Sequence, residues 1–234
     1  MVLKTHYNKG FTLAETLIAL VVVGIIAAIT VPTLITRYQK EQTVTKLKKA
    51  YSALYQTTAR AIADNGPIST WEVGSANSGT AARAFLNKYV VPYMSVMTEP
   101  ESHHKEYWTV KYVNLKNDPI SLDSSDAKMV LNDGTAVYTR ITEKSNGEKR
   151  VSFNIDINGD KKPNKLGKDY FYFTYYFNSP VPERNGKILP NDFNLSREEL
   201  AANKTYRCHK GQSGDCCAAL IVKDGWKISD DYPW

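Results

Sequence analysis

Lys9 to Thr36 reads KGFTLAETLIALVVVGIIAAITVPTLIT. From Thr16 to Thr36 no side chain is charged, and most are Leu, Ile, Val or Ala. A run of about 20 such residues crosses a hydrocarbon core of roughly 30 Å at 1.5 Å per helical residue. Three residues are out of keeping with a plain span. Glu15 places a carboxylate at its entrance, and Gly24 and Pro32 interrupt an otherwise uniform helical pattern. Lys4 and Lys9 form a positive flank. A secretory signal peptide removed after crossing is the simplest competing reading. Against it, the charge-free run outlasts the usual apolar region of such a peptide, no Ala-x-Ala site closes it, and helical patterning continues past Pro32. The stretch is read as an anchor that stays in the protein.

Gly10-Phe11-Thr12-Leu13-Ala14-Glu15 resembles the processing site of the type IV pilins and of the pseudopilins of type II secretion. The resemblance implies a leader of residues 1–10, cleavage by a prepilin peptidase between Gly10 and Phe11, and methylation of the new N-terminal Phe11. It makes Glu15 the fifth residue of the mature chain. Gly24 and Pro32 then fall where pilins also carry helix-breaking residues. It further implies a bacterial inner-membrane protein crossing once, leader in the cytoplasm and head outside. Such a protein joins a fibre with other copies or related pilins on an inner-membrane assembly platform. A carboxylate inside a bilayer marks function by default. In a packed fibre the α-amino group of a neighbouring Phe11 would neutralise Glu15, and the cost of leaving it unpaired would favour correct register. The plainer alternative leaves Glu15 at the headgroup level.

At 234 residues the chain has room for one domain beyond the anchor. The expected division is leader 1–10, membrane and fibre-core helix 11–36, amphipathic continuation 37–65, and an α+β head 66–234. Formal net charge is +6, two of it from Lys4 and Lys9, so +4 remains beyond the leader. That charge is spread along the chain without a run of like charges, and it does not argue for a nucleic-acid partner.

Beyond Thr36 the helical pattern continues. Val44, Leu47, Tyr51, Leu54, Tyr55, Thr58 and Ile62 recur at steps of three and four, one face of an amphipathic helix. Asn65-Gly66-Pro67 stops it. One helix from Phe11 to Asp64, on the order of 80 Å, is expected, half in lipid and half against a head. Pro32 is expected to kink or loosen it. The pilin-like shape thus follows from periodicity as well as from resemblance. A second helix is expected from Ala81, ending before Pro92. Thr98–Lys105, with Glu99, Glu101, His103 and His104 and with Glu106 just beyond, is read as a solvated loop, since no spacing draws these residues to one metal. From Tyr107 the pattern turns to period two. Tyr107–Leu115, Lys128–Leu131, Thr135–Thr142, Lys149–Ile157 and Asp169–Phe177 read as strands, with Asp133-Gly134 turning a hairpin. Four or five antiparallel strands with one face on the helix are expected. The concentrated tyrosines are read as core and sheet face.

Asp156-Ile157-Asn158-Gly159-Asp160 alternates oxygen ligands as the first half of an EF-hand-type calcium loop does. The glycine stands at the fourth rather than the sixth position, and no Glu occupies the twelfth. Asp169 is the candidate late carboxylate. The ligand set under test is therefore Asp156, Asn158, Asp160 and Asp169 for calcium or another hard cation. The alternative is an Asn-Gly turn capped by its own side chains. Pseudopilins of type II secretion also bind calcium in a head loop, without a residue-by-residue match here.

Ser179–Asn194 reads as loop. Ser196 and Glu199 make a capping box for a short helix. The three cysteines, Cys208, Cys216 and Cys217, cluster near the end of the chain. In an exported head they suggest a disulfide from Cys208. Cys217, at the start of an apolar helical segment, is favoured as its partner, with Cys216 as the alternative. A metal site with His209 matches no standard zinc spacing. No nucleophile–base arrangement, phosphate-binding Gly loop or zinc signature appears, so the chain is not read as an enzyme. The leading expectation is a structural pilin or pseudopilin subunit of a type IV pilus or type II secretion pseudopilus. The alternative is a membrane-tethered binding module whose head captures DNA or a surface ligand.

Overall fold

Helix-forming residues without a break in periodicity produce α1, Leu13–Asn65. The helical assignment runs through Pro32 without interruption. The helix ends where Gly66 takes a φ of +78°, which no Cβ opposes, and its N–H returns to the Ile62 carbonyl at 3.0 Å. The structure is a computed structural model that describes residues 10, 12–102, 110–159, 161–180 and 182–234. Two compact units divide the chain, Met1–Glu41 and Gln42–Trp234.

In the first unit every residue of α1 up to Gln39 is exposed. In the second unit α1 buries Thr43, Leu47, Ala50, Leu54, Thr57 and Ala61. That face is rotated from the one expected. Tyr55 is 58% exposed, and Thr58 and Ile62 lie at the margin. Small residues at positions 43, 50, 57 and 61 lie with Leu47 and Leu54 along the buried line. The larger Val44, Tyr51 and Ile62 pack beside it.

The sheet has six antiparallel strands: β1 (Val96–Ser102), β4 (Asp126–Leu131), β5 (Ala136–Glu143), β6 (Lys149–Asp156), β7 (Tyr170–Tyr176) and β8 (Ile188–Pro190), in that spatial order. β2 (Tyr112–Val113) and β3 (Pro119–Ile120) form a separate two-stranded ribbon. Two expectations are corrected here. The segment read as a loop from Thr98 is mostly the edge strand β1, and Ile188–Pro190 inside the second expected loop is the opposite edge. Both carry proline and short or charged sequence, the marks of edge strands, so they lack the alternation that announces a central strand. Of the strand expected over Tyr107–Leu115, residues 107–109 lie outside the described residues, and the described part holds β2. The other strands stand within a residue or two of expectation, with Gly134 at φ +84° in the hairpin turn.

Alternation along the strands sorts side chains onto two faces. Val137, Ile141, Val151, Phe153, Ile155, Phe171, Phe173 and Tyr175 join the main core with α1, α2 (Gly79–Tyr89) and α4 (Cys217–Lys223). Trp71 stacks on Tyr89 there at 4.3 Å between ring centroids. On the reverse face Ala136, Tyr138 and Tyr170 pack with Tyr112 and Leu166 in a second, smaller core. The tyrosines therefore serve both faces. The capping box at Ser196 and Glu199 is present and opens α3, Arg197–Ala201. The chain is a pilin-like α+β protein: a long N-terminal apolar helix, an antiparallel sheet head and a disulfide near the C-terminal end.

Candidate functional site

The N-terminal segment is organised by a capping box. Glu15 Oε2 accepts from the Thr12 backbone N–H and from the Thr12 hydroxyl, both at 2.8 Å, and the Glu15 N–H donates to Thr12 Oγ1 at 3.3 Å. Thr12 thus caps α1 and Glu15 stands at its third position, reciprocally bonded. The sequence signal was Thr-x-x-Glu at 12–15, which the reading of Glu15 as a lone acid passed over. Both recorded bonds fall on Oε2, and a carboxylate has about four lone-pair positions. The cap therefore orients Glu15 at the head of the helix without using up its acceptor capacity.

Beyond the cap the helix presents apolar side chains all round: Leu17, Ile18, Val21, Ile25, Ile29 and Leu34 are all more than half exposed. Soluble monomers rarely leave so continuous an apolar surface in water. The polar atoms of this segment are satisfied inside it. Thr16 donates to the Leu13 carbonyl at 2.8 Å, Thr30 to Ile26 at 2.9 Å, Thr33 to Ile29 at 3.3 Å and Thr36 to Pro32 at 2.9 Å. Threonines bonded back to their own helix present only methyl groups outward, as a lipid environment requires. Among the described residues, α1 is the helix long and apolar enough to cross a membrane. A Cβ added at Gly24 would meet nothing within 4 Å, so no contact within the chain calls for glycine there. Gly10 is exposed, and Phe11 lies outside the described residues, as does the leader before Gly10.

The Asp156–Asp169 loop is folded onto the head. The Asn158 N–H donates to Asp156 Oδ1 at 3.0 Å, and the Tyr112 hydroxyl donates to Oδ2 at 2.5 Å. Asp169 accepts from the N–H groups of Asn164 at 2.7 Å and Lys165 at 2.6 Å. Desolvation is the largest influence on Asp169 and raises its pKa, while these N–H groups oppose it. Burial raises the Tyr112 pKa far more strongly, so it remains a donor. Among the described residues, Asn158 Oδ1 and Asn164 Oδ1 are buried without a protein partner. Among the described residues no three His, Cys, Asp or Glu side chains gather as a metal site. Asp160 lies outside the described residues, so of the expected ligand set the structure describes Asp156, Asn158 and Asp169. Calcium needs six to eight convergent oxygens; Asp156 and Asp169 each accept two protein donors here and keep further lone pairs. What the sequence reading missed is Tyr112, 44 residues upstream, whose burial against Asp156 no local spacing signals.

Cys208 and Cys217 form the disulfide, and Cys216 is a buried free thiol. The bonded pair leaves Cys208 with no role beside His209. Of the remaining loop residues considered for a metal, His103, His104 and Glu106 lie outside the described residues.

The model of a family of unknown function, DUF6613, matches residues 33–234. The chain belongs to that family. A model of the prokaryotic N-terminal methylation motif, the leader signature of type IV pilins and pseudopilins, matches residues 5–31. The two matches together take in Gly10, the capping box, the apolar helix and the head. The chain is a pilin- or pseudopilin-like protein with an N-terminal helix long and apolar enough to cross a membrane. Neither the curated proteins nor the solved structures yield a match.

Proposed function

We propose that this chain is a structural subunit of a type IV pilus or type II secretion pseudopilus. Prepilin peptidase cuts it between Gly10 and Phe11 and methylates Phe11. The first half of α1 holds the subunit in the inner membrane, with the head outside, and an inner-membrane platform then moves it into a fibre. There its apolar surface packs on the same helix of neighbouring copies or related pilins. The observation that carries this reading is the exposed apolar first half of α1, most of it within the residues 5–31 that the methylation motif matches. Gly24 fits the same picture. Glycine costs about 1 kcal/mol against alanine in a helix, and with nothing near it inside the chain, close approach of a second helix is its use.

Glu15 is the assembly residue in this reading, and its capping box sets the experiment. Glu15→Gln keeps the capping geometry, since Gln serves at that position, but removes the charge. Thr12→Ala removes the cap and keeps the charge. In cells with the native export machinery, fibre formation is expected to fail for Glu15→Gln and Glu15→Ala while both proteins remain processed, folded and membrane-bound. Thr12→Ala is expected to assemble. Normal fibres from Glu15→Gln, or loss of fibres confined to Thr12→Ala, would reduce Glu15 to a helix cap. Mass spectrometry of the membrane-bound protein checks processing through loss of residues 1–10 and one added methyl group.

A further inference from the structure

Four separate stretches of the head converge on one cavity of about 420 Å³: the β2–β3 turn, the 165–168 turn, the disulfide-closed loop and the last residues, 231–234. Its cationic lining comprises Lys165, Lys168 and Lys210, with His209 beside them, and its apolar wall includes Leu115 and Trp234. The convergence is fixed by buried bonds. Leu166 N–H donates to the Val113 carbonyl at 2.9 Å, Leu115 N–H to the Ser213 carbonyl at 3.0 Å, and the Tyr232 hydroxyl to the Gly167 carbonyl at 2.5 Å. The lysine positions follow from this frame. The Lys168 N–H turns back to the Lys165 carbonyl at 3.0 Å. Lys165 Nζ is held on Asn117 Oδ1 at 2.7 Å, and Lys168 Nζ stands 5.6 Å from the Trp234 ring centroid. Desolvation first, and then the charge of Lys168, lower the Lys165 pKa. Among the described lining residues the one acid, Asp231, is taken by Arg197 through bonds of 2.6 and 2.7 Å.

From this geometry we infer that the cavity is a binding site for a phosphate-bearing ligand, its oxyanion held by Lys165, Lys168 and Lys210 and its apolar body lying against Trp234. The volume is that of a small-molecule pocket, apolar on one side with a few convergent polar groups. Lysines meet phosphate oxygens as point charges, without the fixed bidentate geometry that an arginine fork would impose. The ligand is a soluble phosphomonoester or a phospholipid headgroup, and the two share this chemistry. The site is independent of the N-terminal helix, so it stands or falls apart from the assembly reading.

The test is calorimetric titration of the full chain in neutral detergent, at constant ionic strength set with chloride. The probes are phenyl phosphate, inorganic phosphate and dihexanoyl phosphatidylglycerol below its micelle concentration. Saturable binding is expected for phenyl phosphate or for the lipid, tighter than for inorganic phosphate. Saturation by phenyl phosphate alone assigns a soluble ligand; saturation by the lipid alone assigns a headgroup. Lys165→Met with Lys168→Met is expected to weaken binding by about tenfold or more, each lysine supplying a charge-assisted bond. Trp234→Ala is expected to remove the advantage over inorganic phosphate. Lys210→Gln changes an exposed side chain and keeps the test available if the double variant fails to fold. Absence of saturation by every probe, or affinity unchanged in Lys210→Gln and in a folded double variant, would overturn the assignment.

Discussion

Replacing Gly167 with alanine is expected to destabilise the head far more than replacing Gly147, although the backbone conformation is nearly the same. Gly167 has φ +80° and Gly147 φ +79°. Holding an L-residue in that region costs about 1–2 kcal/mol at either position. The surroundings separate them. A Cβ at Gly147 meets nothing within 4 Å, whereas at Gly167 it would lie 2.9 Å from Cys217 Sγ and 3.3 Å from the Tyr232 hydroxyl oxygen. That sulfur cannot swing aside, because it is bonded to Cys208. The hydroxyl is held by its bond to the Gly167 carbonyl. Overpacking of this kind adds about 1–3 kcal/mol, giving about 2–5 kcal/mol for Gly167→Ala against about 1–2 kcal/mol for Gly147→Ala. At roughly 2–4 °C per kcal/mol for a unit of this size, the Gly167 variant is expected to melt on the order of 10 °C lower. The assay is thermal and urea unfolding of the full chain in detergent, followed by tryptophan fluorescence. In a background carrying Cys208→Ser and Cys217→Ser, the extra loss is expected to shrink, since the neighbouring side chain regains rotamer freedom. Equal destabilisation of the two glycine variants, or an excess at Gly167 unaffected by the serines, would refute the reasoning.

Leu54→Ala is expected to lower head stability by about 2–5 kcal/mol, as Leu54 is 2% exposed, while Tyr55→Ala leaves the urea midpoint nearly unchanged; a comparable loss at Tyr55 would restore the helix face first read from the sequence. Removing the disulfide, which closes a separation of 9 residues, is expected to cost about 2.5–3 kcal/mol by the chain-entropy relation, measured as a urea midpoint under reducing and oxidising conditions. Burial pushes the Cys216 thiol up to about 11, against an ordinary value of 9.0. The folded state thus favours the neutral thiol: its contribution is full below about pH 9 and is lost as pH rises through about 11. Cys216→Ala is expected to flatten that part of the stability profile, and a thiol reagent at pH 8 should label Cys216 only on unfolding. Chelation with EGTA is expected to leave the melting temperature unchanged, because among the described residues no three His, Cys, Asp or Glu side chains gather as a metal site. A fall restored by added calcium would return the Asp156–Asp169 loop, with Asp160, to a cation site.

Local pattern carried much of this protein. The apolar run, the methylation motif and the Gly66 stop are properties of contiguous residues, and so are the central strands with their Asp-Gly turn. Each is set by side-chain period or by one backbone conformation, so neighbours in sequence suffice to announce it. The capping box at Thr12 and Glu15 was equally legible, although the charge of Glu15 drew the reading toward a partner in another subunit. Other features had no local signature. Edge strands β1 and β8 are strands because β4 and β7 offer them hydrogen bonds, not because their own residues alternate. Tyr112 meets Asp156, and Gly167 meets Cys217 and Tyr232, only once the sheet has brought distant segments together. The same folding gathers lysines from positions 165 to 210 around one cavity beside Trp234. The sequence by itself determined the anchor, the helix and the class of head, since periodicity is written locally. Tertiary structure alone decided which helix face is buried, what the carboxylates bond and where positive charge accumulates, because those depend on distances between residues far apart in the chain.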